Sequence, residues 1–127
     1  MKLRSVVLIA VLAAGTALAQ TPGIRRSVIQ KADLSAPGRE AVVAKVELDA
    51  GATAGRHSHP GEEIGYVLEG EGDLLIYGED PRHLEVGDSY IIPAGTVHDA
   101  INTGKSTMRL VSVFVVEKGK PMATPAK

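Results

Sequence analysis

The sequence predicts an all-β domain, and two observations carry that prediction. Short segments rich in Val and Ile recur about every ten residues and are bounded by glycine or proline, which is typical of a β-sandwich or β-barrel. No stretch of about ten residues keeps the apolar period of an amphipathic helix. The predicted strands are 27–30, 40–48, 64–68, 73–77, 83–86, 89–92, 97–101 and 108–116.

The N-terminal residues 1–19 differ from the rest of the chain. Lys2 and Arg4 precede an apolar run, and Ala17-Leu18-Ala19 follows it. A positive start, a short apolar run and a small-x-small site are typical of a secretory signal peptide. We therefore expect residues 1–19 to be removed on export and the mature protein to be periplasmic or secreted, without a membrane partner after cleavage. An uncleaved anchor is the alternative, although the apolar run is short for a bilayer.

The composition bounds the class of protein. The 127 residues, of which 44% are apolar, are enough for one domain and a targeting segment. A net charge of −1 and 3% aromatic residues argue against a nucleic-acid partner. The absence of cysteine excludes disulfides, thiolate metal sites and cysteine nucleophiles. We predict one domain over 20–117, followed by a flexible C-terminal tail over 118–127 that contains two prolines.

The longer strands differ in how many of their faces are apolar. The strand 40–48 alternates apolar with mixed residues, as a half-buried strand does. The strand 64–68 places Ile64, Tyr66 and Leu68 on one face, and the strand 108–116 is apolar on both faces from Leu110 onward except at Ser112. Strands that are apolar on two faces need a cover on each. We expect a second sheet to supply one cover and a second subunit, in a homodimer, to supply the other.

Three of the four histidines and one glutamate form a candidate metal site. His57 and His59 are two residues apart, so on an extended chain both imidazoles point to the same side. Glu63 follows a Pro-Gly turn, and His98 follows a Pro-Ala-Gly turn. Three imidazoles and a carboxylate suit a divalent Fe, Mn, Ni, Zn or Cu ion and are a poor set for Ca²⁺ or Mg²⁺. For His57 and His59 taken alone, a pair of solvated loop histidines is the alternative.

The surroundings of these residues contain two spaced motifs. The first runs from Gly51 through His57-x-His59 and Glu63 to Gly70, and the second is Gly87, Pro93-x-Gly95, His98 and Asn102. In residue types and spacing, both motifs resemble those of the cupin family. The resemblance implies a double-stranded β-helix, which is a jelly-roll barrel of two antiparallel sheets. It also implies that His57, His59, Glu63 and His98 bind one divalent transition metal ion.

Strand parity separates the neighbours of these residues. Glu62 could replace Glu63 as the ligand, but the motif spacing fits Glu63 better. Asp99 follows His98 directly, so on a strand it points away from the metal. The same parity places small or apolar residues beside the ligands and predicts a small-walled pocket. These residues are Gly65, Val67, Thr96 and Ala100.

Other polar residues have two interpretations each. His83 belongs to neither motif, and we expect a solvated histidine on a strand. Arg56 flanks the site and is either a surface residue or a contact for an anionic substrate. Tyr66 and Tyr90 are expected to pack rather than to act as catalytic acids. Asn102 is expected to stabilise a turn.

Three functions are compatible with such a site. The first is a metal-dependent dioxygenase, resembling the quercetinase-like small cupins, that acts on a small oxygenated substrate. The second is a non-redox isomerase or lyase for a sugar acid, and the third is a metal-dependent protein that binds or senses a small molecule without turnover. The fold alone cannot choose between them.

The expected export also affects the identity of the ion. A chain exported unfolded must bind its ion outside the cytoplasm, where the affinity order favours Cu(II) and Zn(II). We therefore expect a native ion other than iron.

Overall fold

The computed structural model describes residues 21–127, and in this range the regular structure consists of β-strands. The all-β prediction is confirmed. The predicted signal peptide lies outside the described residues. The strands are β1 (Ile24–Asp33), β2 (Arg39–Leu48), β3 (His57–Ser58), β4 (Gly61–Glu69), β5 (Gly72–Ile76), β6 (Arg82–Leu84), β7 (Ser89–Ile92), β8 (His98–Ile101), β9 (Met108–Glu117) and β10 (Thr124–Pro125).

The ten strands form two antiparallel sheets of five strands each. The first sheet has the order β1-β2-β9-β4-β7, and the second has the order β10-β3-β8-β5-β6. Buried residues of both sheets pack together in one cluster, for example Val67 and Leu110 of the first sheet with Leu74 and Ile76 of the second. The core therefore lies between the sheets, as in a jelly roll, and the predicted fold class is confirmed.

Alternation along β2 and β9 places one row of side chains in this core. In β9, Leu110, Ser112, Phe114 and Val116 are buried, whereas the residues between them are half-buried on the outer face. A second, smaller buried cluster lies in the same sheet and contacts Met122 of the C-terminal segment. Its buried members are Val42, Ala44, Phe114 and Val116.

The strand bounds differ from the predicted ones mainly at the ends of the chain. β1 is longer than predicted and contains a bulge after Val28. β3 and β10 were not predicted, because strands of two residues have no detectable alternation. Within residues 21–127, no helix has the length and apolar composition needed to cross a membrane.

The C-terminal segment 118–127, for which the sequence predicts a flexible tail, contains the short strand β10. Thr124 of β10 pairs with Ser58 of β3, and the Ala126 N–H donates to the Arg56 carbonyl at 2.9 Å. These contacts use backbone groups, which every residue type carries, so the sequence gives no signal for them. Thr124 and Pro125 of this segment therefore form a paired edge strand of the second sheet.

Candidate metal centre

The four predicted ligands come together at one end of the barrel. His57 lies on β3 opposite His98 of β8, and Glu63 lies on β4 of the other sheet. His59 directly follows β3 and is separated from β4 by Pro60. The potential ligand atoms of these four residues all lie within 4.8 Å of one another. His59, Glu63 and His98 are buried and His57 is half-buried, and residues of both sheets contribute to the cluster.

The two flanking carboxylates do not join the cluster. Glu62 is exposed, so Glu63 is the residue that faces the imidazoles. Asp99 points away from the cluster, as strand parity predicts, and accepts a hydrogen bond from the Thr53 hydroxyl at 3.0 Å. Asn102 stabilises a turn as expected, because its amide donates to the carbonyl groups of Leu48 and Ser106.

Each of the three imidazoles has its Nδ1 atom beside a backbone carbonyl. The Nδ1–O distances are 2.6 Å for His57 to Gly55, 2.6 Å for His59 to Met122 and 2.9 Å for His98 to Thr96. A carbonyl oxygen can only accept, so Nδ1 must carry the proton in each ring. In a neutral ring, Nε2 then has a free lone pair. This is the form in which histidine binds a metal through Nε2.

The Nε2 atom of His59 is buried without a hydrogen-bond partner. It lies 3.2 Å from Oε2 of Glu63, but it is buried and makes no hydrogen bond. Among the buried side-chain nitrogen and oxygen atoms of residues 21–127, it is the one that lacks a hydrogen-bond partner. Leaving such an atom unsatisfied costs about 1–3 kcal/mol. A metal ion bound by this lone pair would remove that cost, so the residues fit the ion that the donor set implies.

Glu63 uses its two oxygens differently. Oε1 accepts hydrogen bonds from the Tyr90 hydroxyl at 3.1 Å and the Ser112 hydroxyl at 2.9 Å, and Oε2 lies 3.0 Å from Nε2 of His98. Oε1 is therefore held by the protein, whereas Oε2 faces the imidazoles.

The electrostatics of the cluster favour an ionised carboxylate. Burial alone would raise the pKa of Glu63, but the contacts with His59 and His98 outweigh it and hold that pKa well below its usual range. Burial lowers the pKa of His57, which keeps its ring neutral. Burial also opposes protonation of His98, but the hydrogen bond to Glu63 gives a net rise in the pKa of His98. A divalent cation would take the place of that proton.

Sequence reasoning missed Tyr90 and Ser112 as partners of Glu63. Tyr90 was expected only to pack, and although it is buried, its hydroxyl also donates to the carboxylate. Burial raises the pKa of Tyr90, so this hydroxyl stays protonated. The available signal was Ser112 itself, because it is the polar residue of the apolar run from Leu110 to Val116.

Less open space lies beside the four candidate ligands than strand parity predicts. Gly65 pairs with Tyr90, and a Cβ atom on Gly65 would lie 2.1 Å from Cζ of the Tyr90 ring. The Tyr90 ring therefore fills the space beside the glycine. Val67 is fully buried in the core, and Ala100 packs against that core.

Two arginines, Arg56 and Arg26, differ in where they lie relative to the cluster. Arg56 is exposed and lines a surface depression of about 170 Å³ behind His98. Arg26 pairs with buried Val46, so the two side chains share one face of the sheet, but the Arg26 side chain is itself exposed. Partial burial lowers the pKa of Arg26, and attraction to Glu63 partly offsets this effect.

His83 belongs to a separate, exposed group. His83 lies on β6, its Nδ1 lies 2.8 Å from Oδ1 of Asp73 on β5, and its Nε2 lies 3.3 Å from Oε2 of Glu71, which directly precedes β5. The hydrogen bond to Asp73 raises the pKa of His83. Glu71, His83 and Glu85 also bring three potential ligand atoms within 4.8 Å of one another, but all three residues are exposed.

The family is assigned from a match over residues 44–114 and not from the four candidate ligands alone. The model described as Cupin domain matches residues 44–114, which is more than half of the chain. The chain belongs to the cupin family. Among solved structures, this cupin resembles a Klebsiella pneumoniae protein with a double-stranded β-helix domain at a TM-score of 0.68 and 26% identity, covering 86% of this chain and 90% of that one.

Relatives of this cupin include proteins with three different descriptions. The HTH-type transcriptional regulator PuuR of Escherichia coli is 49% identical over 63 residues, covering 49% of this chain and 34% of PuuR. The oxalate-binding protein of Thermotoga maritima is 34% identical over 74 residues, covering 58% of this chain and 60% of that protein. Acireductone dioxygenase 4 of Oryza sativa is 33% identical over 72 residues, covering 54% of this chain and 38% of that protein. The chain thus spans a third to three fifths of these relatives.

Proposed function

We propose that this cupin is a metal-dependent enzyme of the dioxygenase type that acts on a small oxygenated substrate. His57, His59, Glu63 and His98 would hold one divalent transition metal ion. The observation that carries the proposal is the orientation of the imidazoles, with every Nδ1 on a backbone carbonyl and the buried Nε2 of His59 without a partner. The relation to an acireductone dioxygenase supports the reaction type.

The protein side chains near the ion have positioning roles. When bound, the ion would supply Lewis acidity and the capacity to bring O₂ beside an oxygenated substrate. Tyr90 and Ser112 both donate to Oε1 of Glu63, so they orient the carboxylate rather than move substrate protons. Phe114, whose ring centroid lies 4.7 Å from that of His59, keeps this side of the cluster apolar.

The position of Arg26 supports the proposal that the substrate or ligand is an anion. Its exposed side chain lies on the same face of the first sheet as buried Val46. A cation placed there would attract a carboxylate or enolate toward the cluster. The relation to an oxalate-binding protein supports the same chemical class. We therefore propose a small carboxylate or enediol that chelates the ion through two oxygens.

Oxygen-dependent turnover tests the enzymatic proposal. Chain loaded with each candidate metal is mixed with a panel of flavonols, catechols and small oxo-acids, and O₂ uptake is followed with an electrode. We expect uptake with at least one substrate class, and no uptake with His98→Ala treated in the same way. Turnover that continues without O₂ would favour the isomerase or lyase alternative and would contradict the dioxygenase.

A binding function without turnover is the second candidate. The observation that favours it is the description of two relatives as a transcriptional regulator and an oxalate-binding protein. In that case a small dicarboxylate would raise the melting temperature of the metal-loaded chain without being consumed. Product analysis by mass spectrometry on the same samples distinguishes binding from turnover.

We also propose that a second copy covers the outer face of the first sheet. Val43, Val113, Ile64 and Ile91 are successive partners across β2, β9, β4 and β7, and Ile91 is 65% exposed. The outward face of an antiparallel sheet is usually polar, and a two-fold dimer would bury this row in both copies. We expect a dimer by light scattering at micromolar concentration and a monomer for the double variant Ile64→Lys, Ile91→Lys. A wild-type monomer would contradict this proposal.

Export of the chain, with an ion other than iron, remains our proposal for its location and metal. Elemental analysis of protein isolated from the periplasm tests both. Stoichiometric iron in that fraction would contradict the proposal on the ion, and intact Met1 in the mature chain would contradict cleavage.

A further inference from the structure

The C-terminal segment, residues 118–127, supplies one of the three carbonyl groups that hold the imidazoles. For His57 and His98, the carbonyl belongs to the residue two positions earlier in the same part of the chain. For His59, the carbonyl belongs to Met122, 63 residues further along the chain, at 2.6 Å from Nδ1. The orientation of His59 therefore depends on a distant segment, whereas the other two histidines are held locally.

Two sets of contacts hold Met122 in place. Next to it, β10 pairs with β3, which is the short strand that carries His57. The Met122 side chain packs against the smaller buried cluster of the first sheet, and one member of that cluster, Phe114, also contacts the His59 ring. The same packing that anchors the segment thus fixes its carbonyl beside His59.

This carbonyl selects one of two tautomers of His59. With Met122 in place, the proton sits on Nδ1 and the lone pair of Nε2 faces Glu63. Without an acceptor at Nδ1, the proton can move to Nε2 and the ring can rotate, and either change removes the lone pair from the site. Loss of such an orienting partner typically costs about 10–100-fold in metal affinity.

We propose that residues 118–127 form a latch that sets the tautomer of His59, so that closure of this segment and metal binding are thermodynamically coupled. The inference rests on the proposed metal site. By linkage, the coupling is reciprocal, so a bound ion stabilises the closed segment by the same factor by which the closed segment raises metal affinity. Met122 is in this sense a positioning residue.

The first experiment needs no metal. Long-range ¹H–¹⁵N spectra of the imidazoles are recorded on the metal-free full chain and on a variant that ends at Gly119. In the full chain we expect His59 as the Nδ1–H tautomer. In the shortened chain we expect His59 to shift toward the Nε2–H tautomer, while Nδ1 of His57 remains protonated because its carbonyl partner is local. His57 also reports whether the shortened chain is still folded.

The second experiment measures affinity for Zn²⁺ by calorimetry with a competing chelator. We expect the shortened chain and Met122→Ala to bind Zn²⁺ about 10–100-fold more weakly than the full chain. Met122→Leu keeps the packing and should restore most of the affinity. Lys120→Ala is the matched control, because it removes only the exposed ion pair with Glu117 from the same segment.

The outcomes separate the latch from the metal site. If the full chain binds no Zn²⁺, the proposed metal site fails, and the tautomer measurement still tests the latch. If the full chain binds one Zn²⁺ while the shortened chain and Met122→Ala keep the same affinity and the same His59 tautomer, the latch is refuted and the metal site stands. If the shortened chain unfolds, Met122→Ala alone decides.

Discussion

The molecule contains two groups of histidine and carboxylate side chains, and they differ in what surrounds the imidazole. The buried cluster is His57, His59, Glu63 and His98, and the exposed cluster is Glu71, His83 and Glu85. In each, the potential ligand atoms lie within 4.8 Å of one another. Proximity of donors is therefore the same in both.

The imidazole partners are different. In the buried cluster, each Nδ1 donates to a backbone carbonyl, so Nε2 is the ring nitrogen that is left to bind a metal ion. In the exposed cluster, both nitrogens of His83 face carboxylates, an arrangement that favours the protonated ring. Water also surrounds the exposed group, so its charges are screened. We therefore expect the tautomer and the loss of water, rather than the proximity of donors alone, to distinguish a metal site.

The largest expected effect is the loss of metal binding on removal of a buried ligand. His57→Ala and His98→Ala should abolish stoichiometric binding of Zn²⁺, because each removes one donor from the buried cluster. His83→Ala is the matched control from the exposed cluster and should bind one ion as the wild type does. Native mass spectrometry gives the stoichiometry, and equal metal content in all variants would break the distinction between the two clusters.

A smaller effect is expected from the hydroxyl groups behind Glu63. Tyr90→Phe and Ser112→Ala each remove one hydrogen bond to Oε1, and such partners contribute about 10–100-fold to metal affinity. Tyr66→Phe, at an exposed tyrosine, should leave the affinity unchanged. Calorimetry measures all three variants, and equal affinities would show that Glu63 needs no support of this kind.

The packing beside the buried cluster gives a further prediction. Gly65→Ala would place a methyl group against the Tyr90 ring, so the ring must move away from Glu63. We expect a loss of about 1–3 kcal/mol in the free energy of unfolding, as is usual for overpacking in a core. Denaturant unfolding of the metal-free protein measures it. An unchanged stability, together with an intact Tyr90–Glu63 bond, would mean that the barrel accommodates the methyl group.

The smallest effect concerns the exposed cluster. The pKa of His83 should lie above the ordinary histidine value of about 6.5, because Asp73 and Glu71 favour its charged form. Any stabilisation from these contacts is present below the ordinary pKa and is lost as the pH rises through the raised one. Asp73→Asn should lower the pKa of His83 in an NMR titration without changing metal affinity. A pKa that does not respond would place the origin of the shift elsewhere.

Several parts of the fold and site could be predicted from the sequence because their signals are local in the chain. The alternation from Val42 to Leu48 marks β2, and the two spaced motifs mark the four candidate ligands. Gly51, Gly70, Gly87 and Gly95 have the positive φ values that tight turns at strand ends require.

The remaining contacts depend on the register between distant strands. Tyr90 and Ser112 reach Glu63 because both pair with Gly65 across neighbouring strands, and one sequence gives no information on that pairing. Met122 acts through its backbone carbonyl, a group that all residue types share. The full length of β1 and the presence of the short strands β3 and β10 depend on the same kind of tertiary contact.

Anomalous diffraction from crystals grown with Zn²⁺ tests the central claim most directly, because it locates the ion in both clusters at once. We predict a single strong peak about 2.0–2.1 Å from the Nε2 atoms of the buried histidines, bonded also to Glu63, and no peak of comparable height at Glu71, His83 and Glu85. A peak only at the exposed cluster, or no peak among the buried ligands, would contradict the account.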